Sequence, residues 1–581
     1  MADWLKSKRI IDYLTPYRLA FLINGCFLLL FLISGTMKYE TSDDFLMEMI
    51  VSGGYSGEPS PFVMFMNPLI GICLSFCYRT LLGINWFFYF QLLWIYLSMS
   101  VITVQLYKKR LDAVSVLFSV VFISFFAHDL YQLMQFTKTA MITLACGELL
   151  VLKNIIKADW NKKEIGIGFL FICIGTMIRR TCLYLAIAFA VVQLVLWLWT
   201  QFRQGKIEFA LKRIGVCLCM LAVVFGLVWG SSNAYDDVHP EYARYKEYQA
   251  LRSDIIDYQP PAYEDIASDL QKINISKNDY YNLILFQIGD QSVYTREKLE
   301  QIAELAKDYK KDLSFSDIKQ EIKERQYERY LCVLGVLLLG ILVCIFKKNT
   351  MMILFGQACA ALVLLAHLYV QRRVVYRAEF IIFLTMAVNI LAVYIIYEDR
   401  TKRINDWKKT LHKCCILFSG GLLLLSVPSF IPRHTYGFTA MFYSWENHLS
   451  KYRVSFQQNK QQALLQEFAD HPEHIYFLGF QSTIQSVYLN YDLRLAKQAD
   501  SLFQNAVYLG GVSYFHPSHS EWLSQHGLSE TMRELLRDDV YLVENLHEEV
   551  YLKFIQEHYD KEAKLKLVKE IDGYQIWKIY V

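Results

Sequence analysis

Two adjacent carboxylates, Asp43 and Asp44, follow the first membrane-length apolar run, Leu19–Met37, in the order Thr41-Ser42-Asp43-Asp44. Acidic side chains at a membrane boundary cost stability unless they face a cavity or a partner, so the pair marks a candidate functional site. The next segment, Ser52-Gly53-Gly54-Tyr55-Ser56-Gly57-Glu58-Pro59, has glycines and a proline that impose a fixed, non-helical path near the membrane surface. A pre-shaped loop beside carboxylates suits a substrate cleft. The same residues also have a purely structural reading, in which Thr41 caps a short helix and Asp44, at its third position, completes a capping box.

A second set of residues is cationic. Lys138, Arg179, Arg180, Arg372, Arg373 and Arg377 lie at the ends of apolar runs that the charge pattern assigns to the exterior, where basic residues are scarce. A charge buried at a helix centre costs roughly 2.5–3.5 kcal/mol on insertion scales, so such clusters point to an anionic partner, and lipid phosphate is the natural one. The planar arginine fork binds phosphate oxygens in pairs, whereas Lys138 acts as a point charge. Each of these side chains also has a bland alternative, snorkelling to headgroups or pairing with loop acids. His128-Asp129 and His367 read as hydrogen-bonded boundary residues, and Asp257, Asp279 and Asp290 as solvated loop acids.

These side chains are held by a membrane protein. The 581-residue chain is 54% hydrophobic and 15% aromatic, above an ordinary soluble composition. Its basic residues lie in short clusters between apolar runs, which argues against nucleic acid as a partner. None of the 13 cysteines falls in the polar stretches 231–328 or 432–581, so no disulfide framework is expected there. Cys73 and Cys77 read as small core residues, not a metal pair.

The expected fold is an α-helical polytopic membrane protein of about eleven transmembrane helices, N-terminus inside and C-terminus outside, with a small α/β C-terminal soluble domain. The spans fall near Leu19–Met37, Trp86–Leu106, Ala113–Phe126, Phe136–Leu152, Ile165–Ile178, Leu183–Trp199, Ile214–Trp229, Tyr330–Phe346, Met351–Tyr369, Phe380–Tyr397 and Leu411–Ile431. This topology places Lys108-Lys109-Arg110, Lys153–Lys163, Arg203–Arg213, Lys347-Lys348 and Arg400–Lys409 on the cytoplasmic side, as the positive-inside bias requires. The membrane domain covers 1–431, with outer loops at 38–85 and 231–329. Within the first loop Phe62–Arg79 reads as an amphipathic or re-entrant piece, and in the second helices are expected at Glu241–Ile255 and Arg296–Lys307. In the extracytoplasmic domain, 432–581, strands are expected at His474–Phe480, Ala506–Leu509, Val540–Val543, Leu565–Ile571 and Tyr574–Val581. Helices at Lys460–Ala469, Glu521–Arg537 and Glu548–His558 alternate with them.

With Asp43-Asp44 after the first span, Ser52-Gly53-Gly54-Tyr55, Pro59 and Pro61 in a half-apolar loop, and a soluble domain after the last span, the chain resembles the GT-C superfamily of polytopic glycosyltransferases. The resemblance implies sugar transfer from a polyprenyl-phosphate-linked donor to an envelope glycan or lipid acceptor. An acid of the first outer loop then acts as general base: Asp43 first, Asp44 second, with Asp-Asp here where many members have Asp-Glu. It names no certain cofactor, leaves a divalent metal open, and fits a bacterial plasma membrane, with membrane lipids as surroundings. Three other readings stand beside it. These are a polymerase or ligase of lipid-linked glycans, a lipid-linked sugar transporter or flippase, and a non-catalytic envelope assembly protein.

Overall fold

Polar capping residues punctuate the apolar runs and fix where each helix begins. Asn85 accepts from the Phe88 N–H, Asp112 from Ser115, and Asn161 from Lys163 and Glu164, so first-turn donors are satisfied by a side chain just ahead of the helix. The computed structural model describes residues 15–34, 37–81, 83–157, 160–258, 260–287, 289–308, 316, 328–347, 349–371, 373, 375–398, 413, 415–422, 461–480, 493, 504–545, 547–571 and 573–581.

Helix α1 is Pro16–Ser34, followed by strand β1, Lys38–Tyr39, and helices α2, Ser42–Ser52, and α3, Pro68–Thr80. Next come α4, Trp86–Lys109, α5, Ala113–Tyr131, strand β2, Leu133–Met134, α6, Phe136–Ile156, and α7, Lys162–Ile178. Then α8, Arg180–Arg203, and α9, Ile207–Val238, lead to the polar helices α10, Pro240–Ile256, α11, Tyr263–Lys272, α12, Lys277–Ile284, and α13, Arg296–Asp308. The helices α14, Glu328–Phe346, α15, Met351–Val370, and α16, Tyr376–Ile396, return to apolar sequence.

Among the described residues, eight helices are long and apolar enough to cross a membrane: α1, α4, α5, α6, α8, α9, α15 and α16. Two other expected spans are shorter. The 17 residues of α7 begin with Lys162, Lys163 and Glu164, and the apolar part of α14 is Leu331–Phe346. The expected span Leu411–Ile431 lies largely outside the described residues.

Helices α6 and α16 form the centre of the bundle, with nearly every residue of each buried. Small residues let α7 lie directly on α6, since a Cβ added at Gly147 would sit 2.5 Å from the Gly168 carbonyl oxygen. At one end of the bundle, Glu164 gathers Lys108 at 2.8 Å and Lys153 at 2.7 Å. At the opposite end, β1 and β2 pair in parallel, Lys38 with Leu133 and Tyr39 with Met134, and so align the start of α2 with the start of α6.

The C-terminal region builds a five-stranded mixed sheet with helices between its strands. Its elements are α17, Gln461–Asp470, β3, Ile475–Gly479, β4, Ala506–Leu509, α18, Pro517–Gln525, β5, Val540–Val543, α19, Glu548–His558, β6, Lys564–Ile571, and β7, Tyr574–Tyr580. The order is β4-β3-β5-β7-β6, with β4, β3 and β5 parallel and β7 and β6 antiparallel additions. The parallel strands are almost wholly buried and read as apolar runs. The edge strand β6 carries Lys564, Lys566 and Lys569 in a mostly exposed row, charges that discourage pairing with another chain. The expected helix Glu521–Arg537 is two pieces, α18 and a 3₁₀ turn at Met532–Leu536, because Gly527 takes φ +63° and ends the first.

Candidate functional site

The two aspartates have different surroundings. Asp44 is completely buried; its Oδ1 accepts from the Phe136 backbone N–H at 2.9 Å and from Gln91 Nε2 at 3.2 Å. Burial first, and then the charge of Asp43, hold the Asp44 carboxyl well above the usual carboxylate range, against the pull of Phe136, Gln91 and Arg377. Thr41 occupies the N-cap of α2 but makes no side-chain cap bond, so the expected capping box does not form. Asp44 instead completes the start of another helix, α6, whose own N-cap Gln135 serves the Thr137 and Lys138 N–H groups.

Asp43 faces outward from the first turn of α2, with its side chain 18% exposed. Its carboxylate lies 4.0 Å from the guanidinium of Arg377, in the first turn of α16. That separation is beyond hydrogen-bond reach, and among the described residues no donor engages the carboxylate oxygens. Arg179, between α7 and α8, lies with its guanidinium over the rings of Phe65 and Phe136, 5.2 and 5.1 Å from their centroids. Burial lowers its guanidinium below the ordinary value, and the nearby charges of Arg377, Arg373 and Asp43 all act on it. Arg373 donates to Asp257 at 2.9 Å and to the Tyr258 hydroxyl at 3.1 Å, and it too feels the Asp43 charge. Burial opposes its charge, but Asp257 and Tyr258 more than offset this and raise it.

The fold therefore brings Asp43, Arg179, Arg373 and Arg377 to one end of the bundle. The other expected residues are placed differently. Lys138 is fully buried and ion-paired to Glu40 at 2.6 Å and Asp129 at 3.0 Å, so its charge is balanced inside the protein. Arg180 extends over Trp229 of α9, with 5.7 Å to the ring centroid. Arg372 lies outside the described residues.

Three contributors were not singled out from sequence as parts of the site. Asp257, read as a solvated loop acid, receives Arg252 at 2.9 Å and Ser253 at 2.8 Å as well as Arg373, and so ties α10 to the turn before α16. Burial would raise its carboxyl, but Arg252 and Arg373 hold it below the usual range. Tyr245 of α10 feels the Asp43 charge and donates to the Val512 carbonyl at 2.7 Å. Glu40, three residues before Asp43, is the acid that claims Lys138; the only sequence signal was the acidic run itself.

The C-terminal sheet region closes over the glycine-rich loop. Gly53, at φ +86°, turns the chain out of α2, and a Cβ there would lie 2.7 Å from the Glu58 carbonyl carbon. The loop then meets residues 512–519. Tyr55 OH lies 2.8 Å from His519 Nδ1, and His516 Nε2 lies 2.5 Å from the Phe62 carbonyl oxygen. A ring nitrogen facing a carbonyl must donate, so His516 carries its proton on Nε2 while Nδ1 accepts from the Ser518 N–H at 3.2 Å. Burial pushes His516 down to about 4 and His519 down to about 3.

No family model, curated protein or solved structure matches the chain. Fold and residues define a largely helical protein with, among the described residues, eight helices long and apolar enough to span a membrane and a small mixed sheet in its C-terminal region.

Proposed function

We propose that the protein is a membrane glycosyltransferase that moves a sugar from a polyprenyl-phosphate-linked donor to a cell-envelope acceptor. On this reading it has about eleven spans, N-terminus inside and C-terminus outside, in a bacterial plasma membrane. The Asp43 end of the bundle is then the outer face. The observation that carries the reading is the Asp43 carboxylate 4.0 Å from the Arg377 guanidinium, with Arg179 and Arg373 within electrostatic reach.

Asp43 takes the proton of the acceptor hydroxyl as its oxygen attacks the anomeric carbon. The bond from that carbon to the phosphate oxygen breaks, and polyprenyl phosphate leaves with the electron pair. Arg377 and Arg179 stabilise the charge it gains, while Arg373, committed to Asp257, positions the turn. A positioned base contributes about 10²–10⁴-fold, and guanidinium donors aimed at the leaving group add a comparable factor. Asp44, buried and engaged by Phe136, is a positioning residue in this scheme.

Envelope lipids and glycans from cells carrying the wild type, Asp43→Asn, Arg377→Gln or no protein are extracted and analysed by mass spectrometry. Both variants and the deletion are expected to accumulate a polyprenyl-phosphate sugar and to lack one glycan decoration. Wild-type glycans in cells with folded Asp43→Asn protein would sink the mechanism.

A further inference from the structure

We infer that His471, Glu473 and His474 form a binding site for a Zn²⁺-class divalent ion at the turn between α17 and β3. One carboxylate oxygen, Glu473 Oε1, lies 3.1 Å from His471 Nδ1 and 3.6 Å from His474 Nε2. The three ligand atoms all fall within 4.8 Å of one another. Donor atoms about 2.0–2.1 Å from a tetrahedral zinc are separated by roughly 3.3 Å, so the two separations to Glu473 Oε1 suit a shared ion with a fourth position open to water.

The outward nitrogen of one ring also has a hydrogen-bond partner: His474 Nδ1 is 3.4 Å from the Tyr476 hydroxyl. An oxygen partner on the non-ligating nitrogen orients a metal-binding imidazole and raises its basicity.

The site is built by the fold before any ion arrives. His471-Pro472-Glu473-His474 makes a turn closed by the His474 N–H to the His471 carbonyl at 3.0 Å, with Pro472 pre-setting its second position. Beneath it, the buried side-chain amide of Asn505 reaches the carbonyls of Phe468, His471 and His474, each at 3.0 Å. His474 also rests on Tyr541, with ring centroids 4.5 Å apart. A second cluster, Asp279, Glu557 and His558, has other work. Asp279 closes the capping box of α12 with Ser276 and pairs with His558 at 2.7 Å, closer than ligands around one zinc sit.

Imidazole nitrogens select zinc over magnesium, which prefers an all-oxygen shell. The test uses the full chain in detergent, purified with a histidine-free tag and stripped with a chelator that is then removed. ZnCl₂ is titrated by calorimetry. One Zn²⁺ per chain is expected, unaffected by millimolar Mg²⁺, with binding at least about tenfold weaker in His471→Asn and in His474→Asn and unchanged in His558→Asn. Metal-free melting temperatures equal to wild type establish that the variants are folded, and zinc should raise the melting temperature of the wild type and of His558→Asn but not of the His471→Asn/His474→Asn protein. Absence of zinc binding, or equal affinity in folded His471→Asn/His474→Asn protein, overturns the site. Loss of binding in His558→Asn overturns it in favour of the second cluster.

Discussion

The carboxylate of Asp44 caps a helix to which it does not belong: its Oδ1 receives the Phe136 N–H at 2.9 Å, across 92 positions of sequence. Its neighbour Asp43, one position earlier, faces the arginines instead. Two identical side chains thus divide between holding the bundle end together and facing the arginines.

Replacing Asp44 with Ala leaves the Phe136 N–H and the Gln91 amide without their acceptor and is expected to cost about 1–3 kcal/mol. Asp43→Asn is expected to leave the melting temperature within a degree or two of wild type. Asp44→Asn keeps an acceptor and removes a titration. Because the folded value is raised, the stabilisation is full below the unfolded value of about 3.9 and is lost as pH rises through the folded one. Melting temperatures across that range should fall more steeply for wild type than for Asp44→Asn. A larger thermal loss in Asp43→Asn than in Asp44→Ala would reverse the assignment.

Lys138 gives a separation between packing and lipid binding. Lys138→Met strands Glu40 and Asp129 in the interior, and breaking such a buried set is expected to cost about 3–5 kcal/mol. Removing the stranded charges as well, in Lys138→Met/Glu40→Gln/Asp129→Asn, should recover much of that loss. A stable Lys138→Met protein without activity would instead return Lys138 to the phosphate site.

The buried histidines make the docked loop acid-sensitive. Both rings are depressed in the folded state, so the stability they contribute is complete above the unfolded value of about 6.5 and declines as pH falls toward the folded values of about 4 and about 3. Each ring adds about 1.4 kcal/mol per pH unit to that decline. Melting temperature followed from pH 7 to pH 4.5 should drop less in His519→Phe than in wild type. Equal slopes would mean that His519 is protonated or solvated in the folded protein.

Much of the secondary structure is legible in the chain. The expected Val540–Val543 and Ala506–Leu509 coincide with β5 and β4, because strands buried on both faces must be unbroken apolar runs between turn residues. Helix α10 nearly coincides with the expected Glu241–Ile255, its start marked by Pro240. Gly527 breaks the expected Glu521–Arg537 helix even though the apolar spacing continues past it, because its positive φ ends the first piece. The partners of each charge were not legible. Nothing local distinguishes Lys138, buried against Glu40, from Arg377, open beside Asp43, because that choice is made by which helices pack together. For the same reason Asp257 reads as a loop acid until α10 is laid against the turn carrying Arg373.

The contact between Tyr55 and His519 joins residues 464 positions apart. At about 5–20 residues per second, a ribosome needs roughly 20–90 s to travel between them. For that interval the glycine-rich loop beside Asp43 has been made but its cover has not, so this end of the molecule is among the last parts to be finished. Nascent chains arrested before residue 512 would leave the loop open to a protease that the completed protein resists.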